Sequence, residues 1–302
     1  MVALGSRRFV RVSAGAFAAL LVLASLATVA VSYEAADRVV HPPRELRAVT
    51  PAYRGLEYER VGFDTADGVP LVGWWMPAAD PIGTVVFLHG YTASKSQALA
   101  VAPFLVREGY SVLAFDFRAH GESGGTFTSL GVLEALDVRA ALDHLEGRGV
   151  DMTRVALFGW SMGAAAALHA MPLAPEVRAV VADSSFARLT NVVSHELTSM
   201  TGLPTFPFVP LIVHFASRMT AQSPDANEPA RFAETMHRPL LVIQGSNDRL
   251  ARPAADGEVL ARAAGAYADL WLVQGAGHVD ARRAAPSEYE ARVLSFLREA
   301  MP

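Results

Sequence analysis

One serine in the sequence has surroundings typical of a nucleophile. Ser161 lies at the centre of Gly159-Trp160-Ser161-Met162-Gly163, which matches the pattern G-x-S-x-G. The apolar stretch VALF precedes it and the small-residue stretch AAAALHA follows, which predicts a sharp turn from a strand into a helix. Such a turn strains its central residue, and glycines two positions away remove the Cβ atoms that would collide. The turn presents the hydroxyl at a helix N-terminus, where the positive end of the helix dipole favours an anion.

A serine hydroxyl needs a base to take its proton, and His278 is the best candidate among the nine histidines. It follows the last predicted strand in Gly275-Ala276-Gly277-His278, where small residues allow a loop to place the imidazole over Ser161. We expect His89, at the end of an apolar strand, to orient a loop, and His120 to be structural. The remaining histidines lie in a linker, in predicted helices or in an insertion, without flanking glycines: His41, His144, His169, His195, His214 and His237.

The base in turn needs a carboxylate that holds its tautomer and stabilises the imidazolium. Asp248 follows the strand LLVIQ, so the chain order becomes Ser161, Asp248, His278. Asp183, directly after the strand VRAVVA, is the alternative, because it would also lie at the carboxyl end of a strand. Asp280 is only two residues from the histidine and is poorly placed to reach its ring.

A tetrahedral intermediate also needs hydrogen-bond donors for its oxyanion. The expected pair is the backbone N–H after the nucleophile and a backbone N–H in the loop after the third strand. These belong to Met162 and Tyr91, the latter in Leu88-His89-Gly90-Tyr91, where Gly90 permits a tight turn. An ordinary strand-ending turn is the alternative interpretation of that loop.

Strand and helix patterns alternate along most of the chain, which positions these residues. Continuous apolar strands between helices predict a mostly parallel sheet with helices on both faces, an α/β fold. The predicted strands are Leu56–Phe63, Leu71–Met76, Thr84–Leu88, Ser111–Phe115, Val155–Phe158, Val177–Ala182, Leu240–Gln244 and Leu270–Val273. The predicted helices are Ser96–Arg107, Leu130–Leu145, Met162–Met171, Pro253–Ala263 and Ser287–Glu299. Residues 186–232 break the alternation with five prolines, and we interpret them as an insertion with one or two short helices.

The N-terminal segment predicts contact with a membrane. Residues 12–31 form a run of 20 residues without a charge, long enough to cross about 30 Å of hydrocarbon. Arg7, Arg8 and Arg11 precede it, which favours an N-terminus inside and an exported remainder. Residues 1–32 therefore predict a transmembrane anchor or, alternatively, a signal segment cleaved near residue 32, which would give a secreted protein. We expect a linker at 33–55 and a catalytic domain at 56–302.

Composition excludes several classes of function. The 302 residues include no cysteine, so thiolate nucleophiles, disulfides and cysteine-based metal sites are absent. A net charge of −4 gives no basic field for nucleic acid. His195-Glu196 begins like the metal motif H-E-x-x-H, but Ser199 stands where the second histidine is needed. The Gly-rich segment 121–125 lacks the strand–helix context of a phosphate loop, so we expect neither metal nor cofactor.

Five motifs in order resemble the α/β-hydrolase superfamily, and most closely its serine-aminopeptidase and monoacylglycerol-lipase-like branch: HGYTAS, DFRAHGESGG, GWSMG, GSNDRL and GAGH. The resemblance covers Leu56 to the C-terminus. It implies an eight-stranded sheet with one antiparallel strand, a cap inserted after the sixth strand, and no cofactor. Many members carry Val-Pro shortly after the acid, where this chain has Leu250-Ala251-Arg252-Pro253, a departure that would put Arg249 or Arg252 near the mouth of the site.

These residues predict a serine hydrolase that cleaves an ester, thioester or amide through an acyl-enzyme intermediate, most simply a carboxylesterase or lipase. The expected partner is a small acyl substrate with an apolar portion, either a lipid or a peptide. An acyltransferase or peptidase would use the same three side chains. A non-catalytic, membrane-tethered binding protein on a hydrolase fold is the alternative from another class.

Overall fold

A single eight-stranded sheet forms the centre of the molecule. The computed structural model describes residues 3–223, 226–250 and 253–302. The strands lie in the spatial order β1-β2-β4-β3-β5-β6-β7-β8. Strand β2 runs antiparallel to both neighbours and all other pairs are parallel, which confirms the predicted fold class. The strands are β1 Glu59–Asp64, β2 Pro70–Met76, β3 Gly83–Leu88, β4 Tyr110–Phe115, β5 Val155–Trp160, β6 Ala179–Asp183, β7 Leu240–Gly245 and β8 Ala268–Val273.

The central strands are apolar because both faces of the sheet are covered. Strands β3 to β7 are buried along their whole length. Val86 and Leu88 of β3 face one apolar cluster, while Val85 and Phe87 face another. A strand alternates its side chains between the two faces, so continuous apolar runs are the expected result of helices on both sides.

Ten α-helices surround or precede the sheet in the described part of the chain. They are α1 Ala3–Val40, α2 Ala102–Arg107, α3 Glu134–Gly147, α4 Met162–Ala170, α5 Leu189–Thr201, α6 Thr205–Thr220, α7 Pro229–Thr235, α8 Pro253–Ala264, α9 Ala281–Ala284 and α10 Pro286–Ala300. The single helix predicted at 96–107 was wrong in part. A 3-10 helix at Lys95–Ala100 precedes α2, and Pro103 begins the new helix because proline fits a first turn, where its missing N–H is not needed.

Helix α3 starts four residues later than the hydrophobic pattern predicts. The carboxylate of Glu134 accepts hydrogen bonds from the backbone N–H groups of Ser129 and Gly131 and from the Thr128 hydroxyl, at 3.0, 2.7 and 2.6 Å. Leu130 adopts a positive φ of 60° in the same loop. These bonds satisfy the loop in a non-helical conformation, so a buried side chain, rather than apolar spacing, determines where the helix begins.

The insertion between β6 and β7 is more helical than predicted. Two helices of 13 and 16 residues, α5 and α6, pack against each other, and α7 returns the chain to the sheet. The insertion therefore contains more and longer helices than the one or two short helices expected. Pro229 lies at the N-terminus of α7, where a proline does not interrupt a helix, whereas Pro210 lies inside α6.

The N-terminal helix extends eight residues beyond the boundary expected at residue 32. Ser32, Ala36 and Val40 are buried at successive helical turns, where α1 packs on α6, and Tyr33 meets Phe215 edge to face. From Gly15 to Val31 the side chains are exposed, apart from the half-buried Thr28. Residues 33–40 are therefore not a linker, because one stripe of the helix is held by the insertion.

The segment after α1 is likewise attached to the body of the protein. The Arg44 guanidinium donates to the backbone carbonyls of His120, Gly121, Ser123 and Gly125. Five donors in a planar fork allow one arginine to satisfy several carbonyls of a single loop. The segment expected to be a linker thus stabilises the loop that follows β4.

Candidate active site

The turn between β5 and α4 has the strained geometry that the motif predicts. Ser161 adopts φ 52° and ψ −115°, a region that non-glycine residues rarely occupy. A Cβ on Gly159 would lie 2.3 Å from the Ala164 nitrogen, and a Cβ on Gly163 would lie 2.2 Å from the Leu88 carbonyl oxygen. Both glycines are therefore required because backbone atoms occupy the space that a side chain would need.

The three predicted side chains of the relay meet at the carboxyl edge of the sheet. His278 Nε2 lies 2.9 Å from Ser161 Oγ, and His278 Nδ1 lies 2.9 Å from Asp248 Oδ2. Their loops follow β8, β5 and β7, and parallel strands end at one common edge. A proton taken from the serine thus has a direct path to the imidazole.

The carboxylate of Asp248 is fully buried and held from several sides. Gln244 Nε2 donates to Oδ2 at 2.8 Å and the Leu250 N–H donates to Oδ1 at 2.9 Å. An ionised carboxylate only accepts hydrogen bonds, so His278 donates through Nδ1. That tautomer leaves Nε2 with a lone pair directed at the serine hydroxyl, as a general base requires.

The alternative acids have other partners. Asp183 Oδ2 accepts from the Tyr289 hydroxyl at 2.7 Å and Oδ1 accepts from the Ser184 hydroxyl at 3.0 Å. Complete burial raises the pKa of Asp183 to about 6, although these hydrogen bonds lower it. Asp280 instead pairs with Arg283, whose hydrogen bonds lower the pKa of that carboxylate. The structure therefore brings Asp248, and neither alternative, to His278.

A serine that the sequence did not single out holds the loop that carries the histidine. The Val279 N–H donates to Ser184 Oγ at 2.9 Å, and both residues have positive φ values, 54° and 57°. A Cβ on Gly245 would lie 2.4 Å from the Ala276 carbonyl oxygen, so this loop packs directly on the end of β7. No motif marks Ser184, because its role depends on two strands that are distant in sequence.

The two expected oxyanion amides belong to elements that adjoin the nucleophile. Met162 is the first residue of α4, so its N–H belongs to the group that has no intrahelical acceptor. The loop of Tyr91 passes beside the serine, since a Cβ on Gly90 would lie 3.6 Å from Ser161 Cβ. Both the start of α4 and the loop after β3 therefore lie next to Ser161.

Buried side chains fix the loop that carries Tyr91. The Gly90 N–H donates to Gln97 Oε1 at 2.8 Å, and His89 Nδ1 lies 2.7 Å from the Gly90 carbonyl oxygen. His89 Nε2 accepts from the Phe117 N–H at 3.0 Å. Burial holds the pKa of His89 well below its usual range, so the ring is neutral, with a donor at Nδ1 and an acceptor at Nε2. His89 therefore orients a loop and is not placed to act as a base on Ser161.

The segment DFRAHGESGG forms an ion network with Lys95, in which Lys95 and Asp116 are buried and Glu122 is exposed. Lys95 Nζ lies 2.6 Å from Asp116 Oδ2 and 2.6 Å from a carboxylate oxygen of Glu122. A Cβ on Gly121 would lie 2.2 Å from the Asp116 carboxylate, which explains the glycine at this position. Buried charges of this kind require partners and hydrogen bonds. The glycines here accommodate a carboxylate, so the segment supports the loops around the site.

Of the two arginines expected near the mouth of the site, Arg249 is exposed and directly follows Asp248 in the chain, whereas Arg252 lies outside the described residues. Among the described residues, no group of three or more histidine, aspartate or glutamate side chains is arranged to hold a metal ion.

Comparison with known proteins agrees with this architecture. The model of the serine aminopeptidase S33 family matches residues 79–223. The uncharacterized protein Rv2307c of Mycobacterium tuberculosis is 31% identical over 260 residues, 84% of this chain and 80% of that protein. The α/β-hydrolase domain-containing protein WAV2 of Arabidopsis thaliana is 27% identical over 149 residues, 48% of each. The esterase Pf2001 of Pyrococcus furiosus superposes with a TM-score of 0.75 and 31% identity, over 87% of this chain and 99% of that one.

The fold and the similarities define a hydrolase of the α/β-hydrolase superfamily. Within that superfamily, this chain belongs to the serine aminopeptidase S33 family. The resemblance found in the sequence motifs is thereby confirmed.

Proposed function

We propose that this protein is a membrane-tethered serine carboxylesterase that works through an acyl-enzyme intermediate. The observation that carries the proposal is the continuous relay from Ser161 through His278 to Asp248, with two contacts of 2.9 Å. The nucleophile of this relay sits in a strained turn at a helix N-terminus. The esterase Pf2001 shares 31% identity with the chain over almost its whole length, which favours ester substrates.

The mechanism follows from the donor and acceptor roles of the three side chains. Ser161 Oγ attacks the ester carbonyl carbon while His278 Nε2 takes its proton, and Asp248 stabilises the imidazolium. The Met162 and Tyr91 amides donate to the oxyanion. His278 then gives the proton to the leaving alkoxide, so the ester C–O bond breaks and an alcohol departs. Water, deprotonated by the same imidazole, releases the carboxylic acid from Ser161.

The first test is the Ser161→Ala variant of the full chain in detergent. We expect loss of fluorophosphonate labelling and at least a 10³-fold fall in kcat for p-nitrophenyl butyrate, because the nucleophile is gone. Ser199→Ala, on the exposed face of α5, is the matched control and should behave as the native chain. Native protein that neither hydrolyses esters nor reacts with the fluorophosphonate probe would instead indicate a binding protein on a hydrolase fold.

Peptidase and acyltransferase activities are separated by substrate and product. An aminoacyl p-nitroanilide cleaved faster than the ester would favour a peptidase, the activity in the family's name. Mass spectrometry of products formed with added glycerol distinguishes transfer of the acyl group to an alcohol from hydrolysis.

The N-terminal helix is the basis for the membrane location. Residues 15–40 form a helix long and apolar enough to span a bilayer, and its side chains up to residue 31 are exposed, as with Phe17 at 62% and Leu23 at 63%. We expect the intact chain to stay with membranes after a high-salt wash. Recovery of soluble protein that begins near Tyr33 would show that the segment is a cleaved signal and would contradict the anchor.

A further inference from the structure

The last turn of the N-terminal helix is held by groups that are distant in sequence. A helix leaves its final backbone carbonyls without partners in the helix itself. The Tyr91 hydroxyl donates to the carbonyl oxygens of Arg38 and Val39, at 3.2 and 3.1 Å. The Thr128 N–H donates to the Val40 carbonyl oxygen at 2.8 Å. Two loops of the body of the protein therefore bind the end of α1.

The Tyr91 side chain combines an apolar ring with a permanent donor. Its ring packs against the apolar cluster that Val86 and Leu88 face. Burial raises the pKa of Tyr91 to about 12, so the hydroxyl keeps its proton at neutral pH. The hydroxyl, rather than the ring, makes the contact with α1, so its role can be separated from packing.

The backbone of the same residue lies in the loop next to the nucleophile. Tyr91 follows Gly90, where a Cβ would lie 3.6 Å from Ser161 Cβ. Gln97 and His89 hold the peptide groups of Gly90, whereas the Tyr91 hydroxyl holds Tyr91 itself. The Tyr91 N–H is a candidate oxyanion donor and shares one Cα with the side chain. A fixed phenol therefore restricts the backbone rotations that would turn this N–H away.

The same helix end also touches the other side of the nucleophile. Thr128, which binds the Val40 carbonyl, places its Oγ1 3.7 Å from the sulfur of Met162. Met162 directly follows Ser161 and begins α4. The last turn of α1 is thus linked to both elements that adjoin the serine.

Helix α1 is kept at this position by the insertion. Ser32, Ala36 and Val40 are buried at successive turns where α1 packs on α6. A continuous line of contacts thus runs from α6 through the last turn of α1 to Tyr91, whose loop adjoins Ser161. Displacing α1 would remove the acceptors of the Tyr91 hydroxyl.

We propose that the Tyr91 hydroxyl is a positioning group for ester hydrolysis, which ties the candidate oxyanion amide to the docked end of the N-terminal helix. The inference rests on the proposed serine esterase activity and adds a side chain and a helix to its machinery. An oxyanion donor lowers the barrier only when it is held in place before the charge develops. Loss of this tie should lower kcat and leave KM nearly unchanged, because the oxyanion forms only after the substrate has bound.

The first test is Tyr91→Phe in the full chain in detergent, which keeps the ring and the backbone N–H. We expect kcat for p-nitrophenyl butyrate, per active site titrated with a fluorophosphonate, to fall roughly 10-fold and KM to change less than about 2-fold. The inhibition constant of butylboronic acid, which forms a tetrahedral adduct with the serine, should rise by a similar factor. The matched control is Tyr53→Phe, at a tyrosine that is 77% exposed, and it should match the native protein in each value.

A second variant tests the helix. Ala36→Trp places a large side chain where α1 packs on α6, and it should lower kcat per titrated site by a similar factor because the displaced carbonyls release Tyr91. Val31→Trp, at an exposed position of the same helix, is its control and should keep the native kcat. The double variant Ala36→Trp/Tyr91→Phe should lose no more than the weaker of the two single variants, because both changes break the same tie.

The outcomes separate positioning from stability. Unchanged kcat and unchanged boronate inhibition in Tyr91→Phe would overturn the positioning role and leave the esterase proposal intact. Fewer titratable sites, each with native kcat, would show that the hydroxyl only stabilises the fold, and would overturn it as well. Fully additive losses in the double variant would contradict the link through the helix. Native protein that hydrolyses no ester would instead overturn the proposed function.

Discussion

At the scale of single residues, the contacts of three carboxylates decide which one assists the candidate base. Asp183 ends β6 and Asp248 follows β7, and both strands end at the same sheet edge, so sequence position alone left the choice open. The structure separates them because Asp183 is occupied by Tyr289 and Ser184, while Asp248 lies 2.9 Å from His278. Substituting each aspartate and measuring the rate of ester hydrolysis tests this assignment.

We expect Asp248→Asn to lower kcat for p-nitrophenyl butyrate by roughly 10³- to 10⁴-fold, because an amide favours the wrong imidazole tautomer. Asp183→Asn should cost at most about 10-fold, and Asp280→Asn, whose carboxylate faces Arg283, should match the native protein. Steady-state kinetics at pH 8 measures all three. A larger loss in Asp183→Asn than in Asp248→Asn would reverse the assignment.

At the scale of elements, the turn between β5 and α4 depends on close backbone packing. Helix α4 begins immediately after the nucleophile, and its first turn lies against the end of β3, where Gly163 leaves no room for a side chain. The helix therefore both presents Ser161 and sets the position of the adjacent loop that carries Tyr91.

We expect Gly163→Ala to lower the free energy of unfolding by about 2–4 kcal/mol, because the new methyl would overlap the Leu88 carbonyl. The same overlap should abolish ester hydrolysis. The control is Gly147→Ala at the end of α3, where a Cβ would meet no neighbouring residue within 4 Å. This change should be neutral or slightly stabilising. Thermal unfolding and kcat are the measurements. An active, fully stable Gly163→Ala protein would show that the turn is less tightly packed than described.

At the scale of the whole molecule, the N-terminal helix and the insertion form one packed unit with the sheet. Ser32, Ala36 and Val40 face α6, and Arg44 binds the loop after β4, so the chain before β1 contributes to the fold of the domain. A linker of the kind expected from composition would have left the domain free to move against the membrane. The observed docking holds it beside the helix that would cross the bilayer.

The stability of the molecule should depend on the buried Asp183. Its folded pKa is about 6, above the ordinary value of 3.8, so the folded state binds the proton more tightly than the unfolded state. Its contribution is therefore present at low pH and is lost as pH rises through about 6. Between pH 4.5 and 7.5 we expect the unfolding free energy of the native chain to fall by about 2 kcal/mol relative to Asp183→Asn.

Urea unfolding of both proteins in detergent at the two pH values measures this difference. Titrating groups that are distant from Asp183 are present in both proteins and cancel in the comparison, whereas His278 and Asp248 interact with it electrostatically. A difference that stays constant with pH, or that grows in favour of the native chain, would show that Asp183 is ionised throughout.

Most of the fold and the central relay could be predicted from the sequence. Eight apolar strands alternating with helices dictate a covered, mostly parallel sheet, because such strands must bury both faces. The glycines around Ser161 and His278 are needed for local backbone conformations, and such requirements can be recognised from neighbouring residues in the sequence. The start of α3 was missed, since the Glu134 carboxylate satisfies a loop five residues away only after the chain has folded.

The sequence by itself determined the fold class, the candidate nucleophile with its candidate base, and the presence of a membrane-length apolar segment, because each depends on residue types at short and regular spacings. Tertiary structure decided which aspartate meets the imidazole, the role of Ser184, and the docking of α1 on the insertion. Those features depend on atoms brought together by residues about 30 to 200 positions apart, and no local pattern records such pairings.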